Sequence, residues 1–135
     1  MTGIVPTVVV VDDSTTAASL YQLSAASLDV ELLIFPSADE AFAHLRTHQP
    51  DLLFLDIVMP EKDGLTLLKE IRALPIHAHT PVIVVTSKDY DQDRTVAREL
   101  GALEFLLKPL GPKEIRALIR KYTGADEQPA ADAGR

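Results

Sequence analysis

The stretch Leu52-Leu53-Phe54-Leu55, which is followed by Asp56, is a continuous apolar run of the length typical of a strand buried on both faces. Four similar runs flank it in the chain, at residues 7–11, 30–35, 82–85 and 104–107. Most of these runs show no alternation of apolar and polar residues. The sequence therefore predicts five strands of a parallel sheet.

Helical signals fill the intervals between these runs. Ser14 could cap the first predicted helix, which spans 14–28, and a capping box from Ser37 to Glu40 begins the second. Pro75 ends the third helix, Gly101 follows the fourth at 91–100, and Pro112 begins the fifth. Alternation of strands and helices predicts an α/β doubly wound sheet. A length of 135 residues predicts a single domain.

Composition excludes several classes of protein. Without cysteine there is no disulfide, no thiolate zinc site and no cysteine nucleophile. Twenty acidic and 13 basic residues give a net charge of −7, which argues against direct binding of nucleic acid. The first residues lack a signal-like pattern, and no apolar run approaches the ~20 residues that span a bilayer. We therefore expect no membrane segment and a cytoplasmic location.

The composition changes near residue 123, after which nothing large remains to be buried. We therefore predict a folded domain over residues 1–122. Residues 123–135 are predicted to be a flexible tail or the start of a linker.

Polar side chains follow four of the five predicted strands. These residues are Asp12 and Asp13, Asp56, Thr86 with Ser87, and Lys108 with Pro109. In an open α/β sheet, ligands bind beyond the carboxyl ends of the strands. The sequence thus predicts one site above strands one, three, four and five.

Three carboxylates in one place repel one another. Each pair about 5 Å apart costs roughly 3 kcal/mol at an effective dielectric constant near 20. A divalent cation, Mg²⁺ or Mn²⁺, offsets this repulsion, and protonation of one carboxyl is the alternative. Thr86 and Lys108 add donors for a tetrahedral oxyanion. The simplest assignment makes Asp56 a phosphoryl acceptor, with Asp12 and Asp13 as metal ligands.

The motifs Asp12-Asp13, Asp56-Ile57-Val58-Met59-Pro60-Glu61-Lys62-Asp63-Gly64, Thr86-Ser87 and Lys108-Pro109 together resemble the receiver domain of two-component response regulators. The resemblance covers about residues 7–122. It implies a CheY-like, flavodoxin-like (βα)5 fold, with five parallel strands in the order 2-1-3-4-5. It also implies that a histidine kinase or phosphotransfer protein phosphorylates Asp56.

The resemblance further implies a role for each residue of the site. Mg²⁺ would be held by Asp12, Asp13, Asp56 and the backbone carbonyl of Val58, while Thr86 and Lys108 would contact the phosphoryl group. Phe105 is expected either to couple to Thr86 as a switch residue or to be a plain core residue. A cis peptide bond is expected at Lys108-Pro109.

Phosphorylation would alter the surface formed by the fourth helix, fifth strand and fifth helix. That surface binds an output partner or acts on a fused output domain. The domain would be a monomer or a phosphorylation-dependent dimer.

Val58, two residues after Asp56, has no polar side chain to position water, which predicts a long-lived phosphoryl group.

The first predicted helix is uncharged. Residues 14–28 carry no charged side chain, which indicates either a docking surface for the phosphoryl donor or a run of small, well-solvated residues.

Alternatives remain at this level. The chain is a stand-alone receiver or the truncated N-terminal receiver of a multidomain regulator. A magnesium-dependent aspartyl-phosphate phosphatase is disfavoured, because Asp12-Asp13 lacks the D-x-D pattern of the haloacid dehalogenases. A flavin or nucleotide module is disfavoured because Asp12 and Asp13 would repel phosphate. We therefore expect a signalling switch and not an enzyme.

The histidines show no clear metal site. His77 and His79 are predicted to lie in a solvated loop, with no carboxylate partner evident. His44 and His48 have a spacing that can bind a metal, but surface histidines near a helix end are the simpler interpretation.

Overall fold

The structure, a computed structural model, describes residues 5–127 and confirms the predicted α/β architecture. Five parallel strands form one sheet in the order β2-β1-β3-β4-β5. The strands are β1 (Thr7–Val11), β2 (Glu31–Phe35), β3 (Leu52–Asp56), β4 (Val82–Thr86) and β5 (Glu104–Leu107). The helices are α1 (Thr15–Ala25), α2 (Ala38–Leu45), α3 (Gly64–Arg72), α4 (Asp91–Glu99) and α5 (Pro112–Thr123), with a short 3₁₀ turn at Pro75–His77.

Two apolar cores lie on opposite faces of the sheet. Successive strand residues point to opposite faces, so Val9 and Val11 contribute to one core while Val8 and Val10 contribute to the other. The first core contains the buried residues of α2, α3 and α4, and the second contains those of α1 and α5. Burial on both faces explains why β3 and β4 read as continuous apolar runs.

Short polar side chains cap the helices that follow the strands. The Ser14 hydroxyl accepts a hydrogen bond from the Ala17 N–H at 3.1 Å, and the Ser37 hydroxyl accepts one from the Glu40 N–H at 3.1 Å. The Asp63 carboxylate accepts one from the Thr66 N–H at 2.8 Å. These caps satisfy donors that the first helical turn leaves unpaired, and they fix where α1, α2 and α3 begin.

His77 does not lie in a solvated loop, so that prediction is wrong. The side chain is fully buried; its Nε2–H donates to the Leu45 carbonyl oxygen at 2.6 Å, and its Nδ1 accepts from the Thr80 hydroxyl at 2.8 Å. The 3₁₀ turn brings the ring against the end of α2, where it satisfies an otherwise unpaired helix carbonyl. His79 is exposed.

The chain turns back across the fold after α5. Gly124 ends the helix with a φ of 70°, and Ala125 is buried. The Asp29 N–H donates to the Asp126 carbonyl oxygen at 2.8 Å, and Glu127 forms an antiparallel bridge with Leu28. Residues 123–127, which the composition placed in the tail, thus lie against the turn that follows α1. The remainder of the predicted tail lies outside the described residues.

None of the helices within residues 5–127 is both long enough and apolar enough to cross a lipid bilayer.

Gly64 allows the loop after β3 to pack closely under α3. Its N–H donates to the Ile57 carbonyl oxygen at 2.9 Å. A Cβ at this position would lie 2.0 Å from the Asp56 carbonyl oxygen, so only glycine fits without movement of the backbone.

We predict that Gly64→Ala lowers the free energy of unfolding by about 2–4 kcal/mol, because the added methyl group overlaps a backbone atom. Gly111→Ala is the matched control, since a Cβ there meets nothing within 4 Å. Its expected cost is below about 1 kcal/mol. Urea unfolding of both variants measures the difference, and equal stabilities would contradict the prediction.

Candidate functional site

Asp12, Asp13 and Asp56 meet at the carboxyl edge of the sheet. Asp12 directly follows β1 and Asp56 ends the neighbouring strand β3, in which Leu55 lies opposite Val11. Carboxylate oxygens of all three residues lie within 4.8 Å of one another. Asp12 and Asp56 are 3% and 4% exposed, whereas Asp13 is exposed. The structure therefore brings the three predicted carboxylates together, two of them nearly out of water.

Lys108 joins the cluster from β5. Its Nζ lies 2.8 Å from Asp12 Oδ2 and 3.3 Å from Asp56 Oδ2. The Lys108 N–H donates to the Thr86 carbonyl oxygen at 2.8 Å, and the peptide bond to Pro109 is cis. Burial lowers the pKa of Lys108, but the hydrogen bond to Asp12 and the charges of both carboxylates outweigh it and raise the pKa. The ammonium group is therefore held in its charged form.

The pKa of Asp56 is raised above its ordinary value. Burial is the largest cause and the charge of Asp12 is the second, because both disfavour the carboxylate. The Lys108 ammonium and the Val58 N–H, which donates to Asp56 Oδ1 at 3.2 Å, lower the pKa without cancelling the rise. The ionised form of Asp56 thus remains disfavoured despite the nearby ammonium group.

The donor set of the cluster fits a hard divalent cation. It offers carboxylate oxygens with neither sulfur nor imidazole, which suits Mg²⁺ or Mn²⁺ and not a soft metal. Within residues 5–127 no other group of three acidic or histidine ligands comes together in this way. Val58 lies in the loop that follows Asp56, and the metal-binding role of its carbonyl stays a prediction.

Thr86 lies at the same edge, fully buried at the end of β4. Its predecessor Val85 is opposite Asp56 in the sheet. The Thr86 hydroxyl accepts a hydrogen bond from the Lys88 N–H at 3.3 Å. Among the described residues its own proton has no acceptor, so the hydroxyl is free to donate to a new oxygen nearby.

Phe105 lies beside Thr86 on one face of the sheet. Phe105 is opposite Val84, and Thr86 shares the face of Val84 because the two are separated by one residue. The ring is half-buried, and the guanidinium carbon of Arg94 lies 4.7 Å from its centroid.

Sequence reasoning missed three side chains around the site: Tyr21, Asp89 and Arg94. Tyr21 is buried against Phe54, and burial followed by the charges of Asp12 and Asp56 raises its pKa. A signal for Tyr21 existed, because helical side chains point toward the helix N-terminus, which here lies at the carboxyl edge of the sheet. Asp89 and Arg94 form an ion pair that no sequence periodicity marks.

The uncharged helix α1 borders the cluster. The Ser14 N–H donates to Asp12 Oδ1 at 2.9 Å, which ties the start of the helix to the carboxylates. Thr15, Thr16, Ser19 and Gln22 are exposed, and the side chain of Leu23 is 71% exposed. The helix therefore presents an uncharged surface that begins beside the site, with Leu23 exposed in its last turn.

Comparisons with known proteins agree with this geometry. A family model described as the response regulator receiver domain matches residues 8–120. The transcriptional regulatory protein RstA of Escherichia coli (strain K12) is 32% identical over 128 residues, covering 95% of this chain and 52% of that protein. The chain thus spans about half the length of this curated relative.

Solved structures have the same fold. The Mn²⁺-bound form of response regulator Rcp1 superposes with a TM-score of 0.79 at 25% identity, covering 91% of this chain and 99% of that one. The Vibrio cholerae chemotaxis protein CheY4 gives a TM-score of 0.81 at 21% identity, covering 88% and 99% of the two chains, a likeness of fold alone.

We predict that Asp56→Asn raises the free energy of unfolding at pH 7, because it removes a buried charge whose pKa is raised in the folded state. A raised pKa means that the folded protein binds this proton more tightly than the unfolded chain. The gain should therefore be complete above the folded pKa and shrink as the pH falls toward 3.8, the ordinary value.

Urea unfolding of wild type and Asp56→Asn from pH 7 to pH 4 measures this dependence. Asp29→Asn, at an exposed position, is the control and should show no such gain. A gain that stays constant on acidification would refute the assignment.

Proposed function

The chain belongs to the response regulator receiver domains, and from this we propose that it is a two-component signalling switch that accepts a phosphoryl group on Asp56. The observation that carries the proposal is the cluster of Asp12, Asp13 and Asp56 around the Lys108 ammonium. Asp56 ends β3, the middle strand of the sheet, and its oxygens accept hydrogen bonds from the Val58 N–H and the Lys108 ammonium. Asp12 has comparable partners, so the choice of Asp56 as the acceptor rests on the family motif around it.

The transfer proceeds by nucleophilic attack of an Asp56 carboxylate oxygen on the phosphorus of a phosphohistidine. A P–O bond forms as the P–N bond breaks, and the electron pair returns to the imidazole of the donor protein, which takes up a proton. The Lys108 ammonium favours the ionised form of Asp56 before the transfer and then pairs with the new phosphoryl oxygens. The result is an acyl phosphate on Asp56.

Asp12, Asp13, Asp56 and the backbone carbonyl of Val58 would hold Mg²⁺ or Mn²⁺ at this edge. When bound, the cation neutralises the carboxylates and the phosphoryl oxygens, which lowers the barrier to transfer. The Mn²⁺-bound form of response regulator Rcp1, which has the same fold, supports such a site.

Thr86 couples phosphorylation of Asp56 to a change in the surface of the domain. Its hydroxyl proton has no acceptor among residues 5–127, so donation to a phosphoryl oxygen adds a hydrogen bond without breaking another. Movement of Thr86 changes the space beside Phe105, and the face formed by α4, β5 and α5 responds. Phe105 has no hydroxyl, so its part in this response depends on packing.

The partners follow from the site. A histidine kinase or phosphotransfer protein is the donor, and the neutral face of α1 beside Asp12 is its docking surface. An output protein, or an output domain fused to the receiver, binds the face of α4, β5 and α5. The domain acts as a monomer or as a phosphorylation-dependent dimer. The domain acts in the cytoplasm and does not bind nucleic acid directly. It is a switch rather than an enzyme, because it turns over no substrate other than its own phosphoryl group.

Incubation with acetyl phosphate and Mg²⁺ should add one phosphoryl group to the intact mass of the wild-type protein. The adduct should be absent without Mg²⁺ and in Asp56→Asn, because the acceptor oxygen is lost. Asp51→Asn is the control and should be phosphorylated normally, since Asp51 lies at the opposite edge of the sheet, where it accepts from the Thr7 N–H. An adduct on Asp56→Asn would refute Asp56 as the acceptor.

The acyl phosphate should outlast seconds without a phosphatase, because Val58, 44% exposed beside Asp56, offers no polar group to orient water. Val58→Asn should shorten the half-life several-fold, as the loss of the adduct mass after removal of acetyl phosphate would show. Val58→Ala separates two causes, because it opens space without adding a polar group. A wild-type half-life of only seconds would contradict the prediction.

A further inference from the structure

An ion pair outside the carboxylate cluster holds a cation over Phe105. Arg94 Nε donates to Asp89 Oδ1 at 2.6 Å, and Arg94 Nη2 donates to Asp89 Oδ2 at 3.2 Å. This bidentate pairing fixes the plane of the guanidinium group. The guanidinium carbon lies 4.7 Å from the centre of the Phe105 ring, within the range of a cation–π contact. Asp89 therefore orients the group that covers Phe105.

The same aspartate belongs to the loop that begins at Thr86. Residues 87–90 connect β4 to α4, and the Lys88 N–H donates to the Thr86 hydroxyl at 3.3 Å. The loop is thus bound to Thr86 on one side and, through Asp89, to Arg94 on the other. A continuous series of contacts runs from Thr86 through the loop to Arg94 and Phe105, in addition to the neighbouring positions of Thr86 and Phe105 in the sheet.

Helix α4 is attached differently at its two ends. Its last turn is held by Arg72, which donates to the carbonyl oxygens of Leu100 at 2.8 Å and Gly101 at 3.4 Å. Its first turn follows Tyr90, which makes no side-chain capping bond, and only Ala97 of the helix is fully buried. Within the described residues, the Asp89–Arg94 ion pair and the contact of Arg94 with Phe105 are the ion-pair and ring contacts that the side chains of this first turn make.

We propose that Arg94, held by Asp89, is a positioning residue that keeps the Phe105 ring in its half-buried place until Thr86 moves toward a phosphoryl group on Asp56. The displacement of Thr86 pulls on the Lys88 N–H and shifts Asp89, so the bidentate pair loosens and the ring is released. The inference rests on the proposed function, because phosphorylation of Asp56 is its trigger.

The strength of these contacts suits a switch. Arg94 and Asp89 both have side chains 41% exposed, and ion pairs and cation–π contacts at such positions are weak. A small shift of the loop is therefore enough to break them. By reciprocity, a variant that releases the ring in advance should favour the phosphorylated state.

The test uses ¹⁹F NMR of protein labelled with 4-fluorophenylalanine, which gives one signal for each of the four phenylalanines. Phe105→Leu assigns the signal of interest. Without phosphate, Asp89→Asn and Arg94→Lys should move the Phe105 signal toward the position that the wild type reaches with acetyl phosphate and Mg²⁺. Arg98→Lys is the matched control, one turn further along α4, where Arg98 has no ion pair or ring contact in the described part of the chain.

The second readout is the ratio of phosphorylated to unphosphorylated protein at a fixed acetyl phosphate concentration, measured by intact mass. It should rise about two- to fivefold in Asp89→Asn and Arg94→Lys, the factor that one exposed cation–π contact is worth, and stay at the wild-type value in Arg98→Lys. An unmoved Phe105 signal or an unchanged ratio in both variants overturns the proposal.

The two proposals fail in different ways. A wild-type protein that takes up no phosphoryl group lacks the trigger, which overturns the proposed function and this inference together. A wild-type protein that is phosphorylated on Asp56 but shows an unmoved Phe105 signal in both variants overturns only the role of Arg94.

Discussion

Repulsion between Asp12 and Asp56 is the constraint on which the site depends. Parallel strands end at one edge, so the topology that buries five apolar runs also forces the side chains that follow them together. Two nearly buried carboxylates share one ammonium group, Lys108, and burial together with the charge of Asp12 still raises the pKa of Asp56. The domain gives up stability at this edge and gains a place where added positive charge is favoured.

The two faces of the sheet serve different purposes around that edge. On the face of α1 and α5, the buried Tyr21 ring packs against Phe54 in the core next to the carboxylates. On the other face, α4 buries a single residue and its first turn is held by exposed contacts. Local opening beside Asp56 is therefore easier at α4 than at the helices of the other face, because α4 buries fewer side chains.

Local signals predicted most of the fold and the charged members of the site. Apolar runs marked the strands, and Ser14 and Ser37 marked helix starts, because burial and capping act within a few residues. The order of the strands came from a family resemblance, since periodicity carries no information on which strands are neighbours. His77 was assigned wrongly because its burial depends on the carbonyl of Leu45, 32 residues away. The Asp89–Arg94 pair was missed for a similar reason, as its position over Phe105 is a tertiary contact.

The return of the chain after α5 has a practical consequence for studying the domain. Glu127 pairs with Leu28 in the turn that leads into β2. This turn lies at the amino ends of the strands, whereas Asp56 lies at their carboxyl ends. Glu127 and the carboxylate cluster therefore lie at opposite ends of the strands. Attaching the protein to a biosensor surface at position 127 would therefore leave the carboxylate cluster facing the solution.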